Sequence, residues 1–423
     1  MASAKAPTGK AYVIGAGVAG LAAATALARR GVPVELFEAG PQAGGRCRSY
    51  FDPTIGSVID NGNHLVLSGN RAVMAYLARI GAQKGLAGPE HAVVDFVDLE
   101  NDQRWRLQLN DGIIPAWIFS SKSRVPGTQV KDYAAYAPLL WANAKETIGQ
   151  AVKERGPLWR RLMHPFLLSA LNTAPEEASA ALAGSVLRQS LMLGGHASRP
   201  RIAHPTLAAA FVDPALAFLE NKGCKVHLST RLRGFTIAGR AARALEFSDT
   251  TIPTGMKDVI ILAVNAPVAQ DLLPGLSAPT SFRAIVNAHF KLVPPPGSPL
   301  MLGVIGGTAE WIFSFEDRVS VTISGADALV DEDREVLATR IWADVARALK
   351  IEGAMPPWQI VKEKRATFAA TPAQDGLRPG PRVPIRNIIL AGDWTRTGLP
   401  ATIEGAIRSG DTAARLARRH LNL

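Results

Sequence analysis

Apolar residues near the start of this chain of 423 residues follow the spacing of a strand, a helix and a second strand. Tyr12–Ile14 is a short apolar run, an Ala- and Leu-rich segment extends to Arg30, and Val34–Phe37 is a second short run that ends at Glu38. Short, mostly apolar strands on either side of a helix are typical of parallel sheets that are buried on both faces. The pattern therefore predicts a βαβ unit.

Two later segments also have the pattern of short strands that are buried on both faces. Asp258–Val264 and Asn387–Gly392 are short apolar runs, and a predicted helix over Ala401–Leu416 follows the second. Between them and the N-terminal unit lie alternating strands such as Ala92–Leu99 and a mostly helical stretch over Tyr133–Gly195. We predict an α/β fold with a Rossmann-like nucleotide-binding domain and a second, α+β domain for the substrate.

The length of the chain exceeds one ordinary core and suits two domains. We assign residues 1–80, 205–275 and 385–423 to a discontinuous nucleotide-binding domain. Residues 81–204 and 276–384 are assigned to the substrate-binding domain. These boundaries are expectations, since sequence patterns locate the ends of elements less well than the elements themselves.

The turn of the βαβ unit carries a glycine pattern that is typical of dinucleotide sites. The spacing is G-x-G-x-x-G with small residues between the glycines: Gly15, Ala16, Gly17, Ala19 and Gly20. The first glycine allows a tight turn, the second lets the backbone approach a pyrophosphate, and the third lets the helix pack on the strand. Glu38, followed by Ala39, lies where a carboxylate can accept hydrogen bonds from an adenosine ribose. This pattern alone does not separate NAD from FAD.

Two polar, glycine-containing segments follow. Gly44 and Gly45 form a second bend with Arg46 directly after it, and a guanidinium beside a Gly-Gly backbone suits a pyrophosphate. Further on, a loop places polar residues around a glycine: Asn61, Gly62, Asn63 and His64. Such a loop can present backbone N–H groups to a heteroaromatic ring, or it can be a plain turn between strands.

The end of the chain carries a second anchoring pattern. Gly392 and Asp393 follow a buried strand and precede a predicted helix. A strand, an acid and a helix N-terminus can together hold cofactor phosphates or a ribityl chain. A second anchor so far from the first suits a long cofactor.

Composition narrows the classes of partner. The 47 Lys and Arg against 36 Asp and Glu give a net charge of +11, without any recognisable nucleic-acid module, so we expect no nucleic-acid partner. The basic residues indicate solvated helix faces or attraction to anionic lipid.

Two cysteines, Cys47 and Cys224, imply neither a disulfide framework nor a metal site. The start MASAKAPTGK has no apolar signal region, so we expect a cytoplasmic protein, peripheral on the cytoplasmic face of a membrane.

Two segments of the predicted second domain carry chemistry of their own. Ile285–Leu292 alternates, which places His289 and Lys291 on a polar strand face that can line a substrate cavity or meet water. Leu158–Leu171 is apolar on nearly all sides, yet Arg160 and Arg161 interrupt it. This second segment can line an apolar tunnel, lie at a membrane interface or form an internal helix.

The motifs at both ends together resemble FAD-dependent amine oxidases and phytoene desaturases, which begin G-x-G-x-x-G…E…G-G-R and end G-D…E-G-A…S-G. Within that superfamily, three segments are similar to the squalene-associated desaturase-like family, the hydroxysqualene dehydroxylases of bacterial hopanoid pathways: DNGNHLVLSGN (Asp60–Asn70), LNTAPEEASA (Leu171–Ala180) and AGDWTRTGLPATIEGAIRSG (Ala391–Gly410). The resemblance covers essentially the whole chain.

The resemblance implies FAD as cofactor and assigns roles by position. Glu38 would bind the adenosine ribose, Arg46 and the glycine turn the pyrophosphate, and Asp393 the ribityl-phosphate region. It further implies contacts from the backbone near Leu232 to the adenine side. At the last helix, Thr402 and Ile403 would face the isoalloxazine carbonyls, where a helix dipole stabilises developing negative charge.

The resemblance also implies a reaction, the replacement of the hydroxyl of hydroxysqualene by hydrogen with reduced FAD, giving squalene and water. The protein must then supply a proton, for which the candidates are His64, His289 and Lys291. An isoprenoid substrate favours peripheral membrane association, with Leu158–Leu171 at the mouth of a tunnel, and possible contact with other enzymes of the squalene pathway. The alternatives are an oxidising isoprenoid desaturase, an amine oxidase, or a non-catalytic partner in a membrane-bound isoprenoid assembly.

Overall fold

The computed structural model describes residues 9–153 and 155–423. Its strands are β1 (Ala11–Ile14), β2 (Val34–Phe37), β3 (Ser49–Asp52), β4 (Ser57–Asp60), β5 (Leu65–Leu67), β6 (Leu86–Ala87), β7 (Val93–Asp98), β8 (Gln103–Gln108), β9 (Pro200–Ala203), β10 (Lys225–His227), β11 (Leu232–Ala238), β12 (Ala241–Phe247), β13 (Thr251–Pro253), β14 (Val259–Leu262), β15 (Phe282–Phe290), β16 (Met301–Ile305), β17 (Trp311–Ser314), β18 (Val319–Ile323), β19 (Trp358–Phe368) and β20 (Ile388–Leu390).

Its α-helices are α1 (Val18–Ala28), α2 (Arg71–Ile80), α3 (Val130–Ala134), α4 (Ile148–Ala151), α5 (His164–Leu171), α6 (Ala180–Gln189), α7 (Asp213–Asn221), α8 (Ala266–Leu272), α9 (Arg334–Leu349), α10 (Pro372–Gly376) and α11 (Ile403–His420). π-Helical turns at Trp159–Met163 and Ala208–Val212 lead directly into α5 and α7. Short 3-10 turns lie at Gly45–Cys47, Ala116–Phe119, Ala137–Trp141, Leu191–Leu193, Gly195–Ala197 and Ala326–Ala328.

Five parallel strands form the first large sheet, in the order β10-β2-β1-β14-β20. The predicted βαβ unit is present, since β1 and β2 pair in parallel on either side of α1 in the chain. β1 and β14 are buried along their whole length, as expected of strands covered on both faces. α1 is buried on nearly all sides because it lies between this sheet and α11.

A seven-stranded sheet has the order β19-β15-β18-β17-β16-β7-β8, in which β16 and β7 run parallel and the other neighbours antiparallel. The alternation predicted for β15 is present. Val286, Ala288 and Phe290 lie in the buried cluster that also contains the apolar face of α9. Asn287 and His289 therefore point to the opposite face, towards the parallel-sheet region.

The two large sheets draw their strands from different parts of the chain. The parallel sheet uses residues 11–37, 225–262 and 388–390, and the seven-stranded sheet uses residues 93–108 and 282–368. The division of the chain into 1–80, 205–275 and 385–423 against 81–204 and 276–384 stays a prediction. Residues 1–8 of its first segment, and with them most of the MASAKAPTGK start, lie outside the described residues.

Leu158–Leu171 corresponds to the internal-helix alternative and not to a surface mouth. Leu158, Leu167 and Leu171 are fully buried or nearly so. Arg160 donates two hydrogen bonds to the carboxylate of Asp98, at 2.7 and 3.0 Å, and is thus bound to the seven-stranded sheet. The expectation that this segment contacts a membrane through its arginines is therefore wrong, because packing against the sheet already uses its apolar surface.

Within residues 9–153 and 155–423, no helix is both long enough and apolar enough to cross a bilayer.

Candidate active site

The three glycines of the first turn have different surroundings. Gly15 has φ +103°, and a Cβ added there would lie 2.5 Å from the carbonyl oxygen of Ala263. A Cβ at Gly20 would lie 1.9 Å from the oxygen of Gly15, so this position requires glycine for packing of α1 on the turn. Gly17 has ordinary extended angles, and a Cβ there would meet nothing within 4 Å. Gly17 thus borders open space at the N-terminus of α1, where N–H groups are available to an anion.

The second glycine bend lies directly against the first. The N–H of Gly44 donates to the carbonyl of Ala16 at 2.8 Å, and Gly17 and Gly44 form an isolated parallel bridge. Gly44 and Gly45 both have positive φ, +107° and +57°, which explains why glycine is needed at both positions. The bend therefore places Arg46 near the N-terminal end of α1.

Arg46 joins the two predicted anchors. It donates one hydrogen bond at 2.8 Å to the carboxylate of Asp393, 347 residues away, and another to the backbone oxygen of Ala366. Asp393 raises the pKa of Arg46, which keeps the guanidinium charged. The Arg46 side chain is 40% exposed and that of Asp393 only 7%. A largely buried carboxylate thus holds in place an arginine side chain that is partly exposed.

Glu38 lies on the same turn. Its carboxylate accepts hydrogen bonds from the N–H groups of Ala16 and Gly40, both at 2.8 Å, while Ala39 is exposed. The backbone oxygen of Glu38 accepts from Thr230, which places the start of β11, with buried Leu232, beside this carboxylate. The residues predicted for the adenosine end are therefore brought together.

The last helix packs on the first. A Cβ at Gly410 would lie 2.2 Å from the backbone oxygen of Ala19, so α11 crosses α1 in close contact. Gly410 lies seven positions after Ile403, the first residue of α11. The N-terminus of α11 is therefore roughly 10 Å from this crossing. The Thr402 hydroxyl caps the helix by accepting from the N–H of Gly405 at 3.0 Å. Two helix N-termini thus lie within one elongated region.

The motif residues at the start of α11 also have structural contacts. The buried carboxylate of Glu404 accepts from the N–H groups of Ala72 and Val73, at 3.2 and 3.0 Å, and so caps α2. Gly392 has φ +144° and donates its N–H to the hydroxyl of Ser409 at 3.0 Å. The E-G-A and S-G pieces of the terminal motif therefore position the helix rather than face the opening.

The polar loop after β4 packs on the seven-stranded sheet. The Asn63 side chain donates to the hydroxyl of Thr322 at 3.1 Å, and the Asn61 side chain donates to the carboxylate of Glu363 at 3.2 Å. A Cβ at Gly62 would lie 3.1 Å from the amide nitrogen of Asn287. The loop therefore lies at the contact between the nucleotide-binding region and the second sheet.

His64 is the candidate acid that lies beside the anchors. Burial and, to a smaller extent, the positive charge of Arg46 lower its pKa to about 4, against the raising effects of a hydrogen bond with the Arg46 backbone and of Asp393. The side chain is half-buried and close enough to Arg46 and Asp393 to respond to both charges. At neutral pH it is a neutral imidazole, which can orient a hydroxyl group but is a weak proton donor.

The other two candidates lie at the end of β15, His289 on its polar face and Lys291 directly after the strand. His289 has no exposed surface, its Nδ1 lies 2.8 Å from the hydroxyl of Ser320, and burial lowers its pKa to about 3. Lys291 donates to the carboxylate of Asp317 at 2.6 Å and to the hydroxyl of Ser57. Their positions argue against direct proton donation, because one is sealed in the interior and the other already has an anionic partner.

Arg378 is a site residue that sequence reasoning missed. It is fully buried, and its guanidinium donates to the backbone oxygens of Asp393 and Thr395 and to the hydroxyl of Thr397, at 3.0, 3.0 and 2.8 Å. It also pairs with Asp375 at 2.8 Å. Arg378 therefore fixes the loop that carries Asp393. No motif surrounds it, and the only available signal was an arginine in the segment just before the terminal anchor.

Glu310 is a second missed residue. Burial raises its pKa to about 7, against the lowering effect of hydrogen bonds from Ser324, whose N–H lies 2.8 Å from the carboxylate. Ser324 is followed by Gly325, which contacts Leu168 of α5 and donates to the side chain of Asn172 at 2.7 Å. Glu310 thus lies between the seven-stranded sheet and the helical segment, as a carboxyl group that holds a proton near neutral pH.

Glu310→Gln is expected to change how stability depends on pH. In the unfolded chain this carboxyl ionises near its ordinary pKa of 4.5, whereas in the folded chain it keeps its proton to about pH 7. The wild type therefore loses stability as pH rises through that window, by up to about 3 kcal/mol, and the variant lacks this loss. Urea unfolding of both proteins from about pH 5 to 8 measures it. Parallel pH profiles would contradict the raised pKa.

This chain is similar to a known protein family, to individual relatives and to a solved structure. Residues 18–417 match the family model described as flavin containing amine oxidoreductase. The hydroxysqualene dehydroxylase of Rhodopseudomonas palustris is 54% identical over 96% of this chain and 97% of its own length, and that of Zymomonas mobilis is 47% identical over 97% and 99%. Cyclohexylamine oxidase from Brevibacterium oxydans is only 15% identical, but its structure matches with a TM-score of 0.71 over 99% of this chain and all of its own.

These findings confirm the fold class and the family predicted from the motifs. The solved structure shows the fold alone, whereas the relatives at about half identity cover nearly every residue of both chains. The family is described as flavin containing, which agrees with the two helix N-termini and with the open space beside Gly17. The chain belongs to the hydroxysqualene dehydroxylases, within the flavin-containing amine oxidoreductase family of enzymes.

Proposed function

We propose that this chain replaces the hydroxyl group of hydroxysqualene by hydrogen, releasing squalene and water, with FAD as its cofactor. The observation that carries the proposal is the identity of 47–54% to hydroxysqualene dehydroxylases over nearly the full length of both chains. The overall change adds one proton and one hydride to the substrate and releases the hydroxyl oxygen as water. When bound in its reduced form, the flavin supplies the hydride.

The residues around the two anchors fit FAD. We assign the pyrophosphate to Arg46 and to the turn formed by Gly15, Ala16, Gly17, Ala19, Gly20, Gly44 and Gly45, which surround the open N-terminus of α1. Glu38 and Ala39 with the backbone near Leu232 are assigned to the adenosine end. Gly392 and Asp393 are assigned to the ribityl-phosphate region. The loop Asn61, Gly62, Asn63 and His64 and the residues Thr402 and Ile403 are assigned to the flavin ring.

The protein must also deliver a proton as the hydroxyl leaves. Among the candidates named from the sequence, His64 lies nearest the proposed flavin region, and as a neutral imidazole it suits orientation of the hydroxyl. We add Glu310 as a further acid to test, because its carboxyl group, which accepts from the N–H of Ser324 in the seven-stranded sheet region, still holds a proton near pH 7. The site must also exclude water, which would otherwise capture a delocalised cation formed as the hydroxyl departs.

Anaerobic single turnover tests the proposal. Photoreduced enzyme mixed with hydroxysqualene is expected to reoxidise its flavin and form squalene in equal amounts. The same assay on His64→Gln, His289→Gln, Lys291→Met and Glu310→Gln ranks the acids; loss of the true donor costs roughly 100-fold or more in rate. A reduced enzyme that leaves hydroxysqualene unchanged would overturn the proposal. Flavin reduction on mixing the oxidised enzyme with squalene would instead indicate a desaturase.

We further propose that the chain acts at a membrane surface, where an isoprenoid of this size resides. The net charge of +11 supports attraction to anionic lipid. Contact with other enzymes of the same pathway would follow from sharing that surface. The segment Leu158–Leu171 no longer provides the contact, so another part of the surface must do so.

A further inference from the structure

Large exposed apolar side chains concentrate in one part of the chain. Among the described residues, eight large apolar side chains are at least 60% exposed, and four of them lie between residues 113 and 141. These are Ile113 (67%), Ile114 (72%), Phe119 (65%) and Trp141 (78%). Isolated exposed apolar residues are ordinary, but a concentration of this kind marks an interaction surface.

Contacts between the segments that carry these residues hold them in one region of the structure. The ring of Trp117 packs edge-on against Tyr133 of α3, 5.2 Å between centroids, and α3 leads into the turn that ends at Trp141. That turn packs on α6, since Arg188 donates to the backbone oxygen of Leu140. From α6 the chain passes Met192, 48% exposed, and returns through a hydrogen bond of 2.8 Å from Gly195 to Asn110.

We name Ile113, Ile114, Phe119, Trp141 and Met192 the apolar rim. Sequence neighbours of the rim residues lie in or against a buried apolar cluster that includes Trp117, Leu139 and Leu187. The same cluster extends to Phe96 of the seven-stranded sheet and to Ile14 at the end of β1, next to the glycine turn. Apolar side chains therefore connect the rim with the region proposed for the flavin.

The charges beside the rim are mostly positive. Between residues 111 and 146 the sequence has Lys122, Arg124, Lys131 and Lys145 against the acids Asp111, Asp132 and Glu146, and Asp111 is paired with Arg199 at 3.3 Å. The carboxylate of Asp132 accepts a hydrogen bond from the N–H of Gln129 at 2.7 Å, so it is occupied at the start of α3. Exposed Trp and Phe side chains beside Lys and Arg are typical of surfaces that enter the interface of an anionic bilayer. The same positive charges disfavour a second copy of this chain as the occupant.

We propose that the apolar rim docks on the surface of an anionic lipid bilayer and is where the isoprenoid substrate enters the protein. The docking site rests on exposed apolar surface and charge, and the role in entry rests on the proposed function. The rim side chains lie in the acyl boundary while Lys122, Arg124 and Lys131 contact lipid phosphates. Entry at the rim brings the substrate into the protein from the bilayer depth at which the substrate itself resides.

Vesicle cosedimentation of the full-length flavoprotein tests the docking. Wild type is expected to bind phosphatidylglycerol–phosphatidylcholine vesicles, and an Ile113→Ser, Ile114→Ser, Phe119→Ser variant is expected to bind at least about tenfold more weakly. Val293→Ser is the matched control, because Val293 is 76% exposed in the loop after β15 and should leave binding unchanged. Circular dichroism and flavin content verify that each variant is folded.

A second measurement separates docking from activity. With substrate embedded in vesicles, the rim variant is expected to lose most of its turnover, whereas with substrate in detergent micelles the loss should be several-fold smaller, because docking is then not required. Equal vesicle binding by the rim variant and the wild type, or no binding by either, would overturn the proposal. Normal, rim-dependent vesicle binding by a protein that does not convert hydroxysqualene would leave the docking surface standing and overturn the proposed function.

Discussion

Gly17→Val is expected to lower flavin binding and activity together while the protein remains folded. Gly17 has φ −69° and ψ 171°, which valine adopts without strain, and a Cβ there meets no protein atom within 4 Å. The added side chain occupies the space at the N-terminus of α1 that we assign to the pyrophosphate. We expect binding of FAD to weaken roughly 10- to 100-fold, as overpacking of a close contact costs about 1–3 kcal/mol.

The measurement compares visible absorbance of bound flavin, turnover and urea unfolding of the flavin-free proteins. Gly20→Val is the matched control at the same turn, because its Cβ would lie 1.9 Å from the oxygen of Gly15 and must displace α1. That variant should lose stability as well as flavin. A Gly17→Val protein that retains wild-type flavin would show that the cofactor does not pass this turn.

Arg378→Met is expected to destabilise the protein by about 3–5 kcal/mol, the usual cost of removing one partner from a buried ionic network. The guanidinium is fully buried and satisfies the backbone oxygens of Asp393 and Thr395. Methionine fills a similar volume but leaves these oxygens without donors. Because the same loop holds Asp393 against Arg46, flavin affinity should fall as well.

Arg396→Met is the control for this prediction. Arg396 lies in the same loop, but its side chain is exposed, so its removal should change the free energy of unfolding by less than about 0.5 kcal/mol. Arg378→Lys should be intermediate, since one ammonium cannot reproduce the planar set of donors. Equal stability of Arg378→Met and the wild type would show that the loop is held by other contacts.

Features that depend on neighbouring residues could be predicted from the sequence. The strands and helix of the βαβ unit were predicted within two or three residues of their observed ends, because apolar spacing and glycine positions express local geometry. The membrane interpretation of Leu158–Leu171 was wrong because the surroundings of a helix depend on residues far away in the chain. An apolar helix has the same pattern whether lipid or protein covers it, and only the packing against Asp98 and its sheet distinguishes the two.

The sequence by itself determined the α/β class, the family and the set of residues proposed to hold FAD, since each of these is written in short motifs with fixed spacing. Only the tertiary structure decided which of these residues meet. It joined Arg46 to Asp393 across 347 positions, sealed His289 in the interior, brought Arg378 under the terminal loop and raised the pKa of Glu310 by burial. Such effects depend on contacts between segments far apart in the chain and on exclusion of water, neither of which a local pattern records.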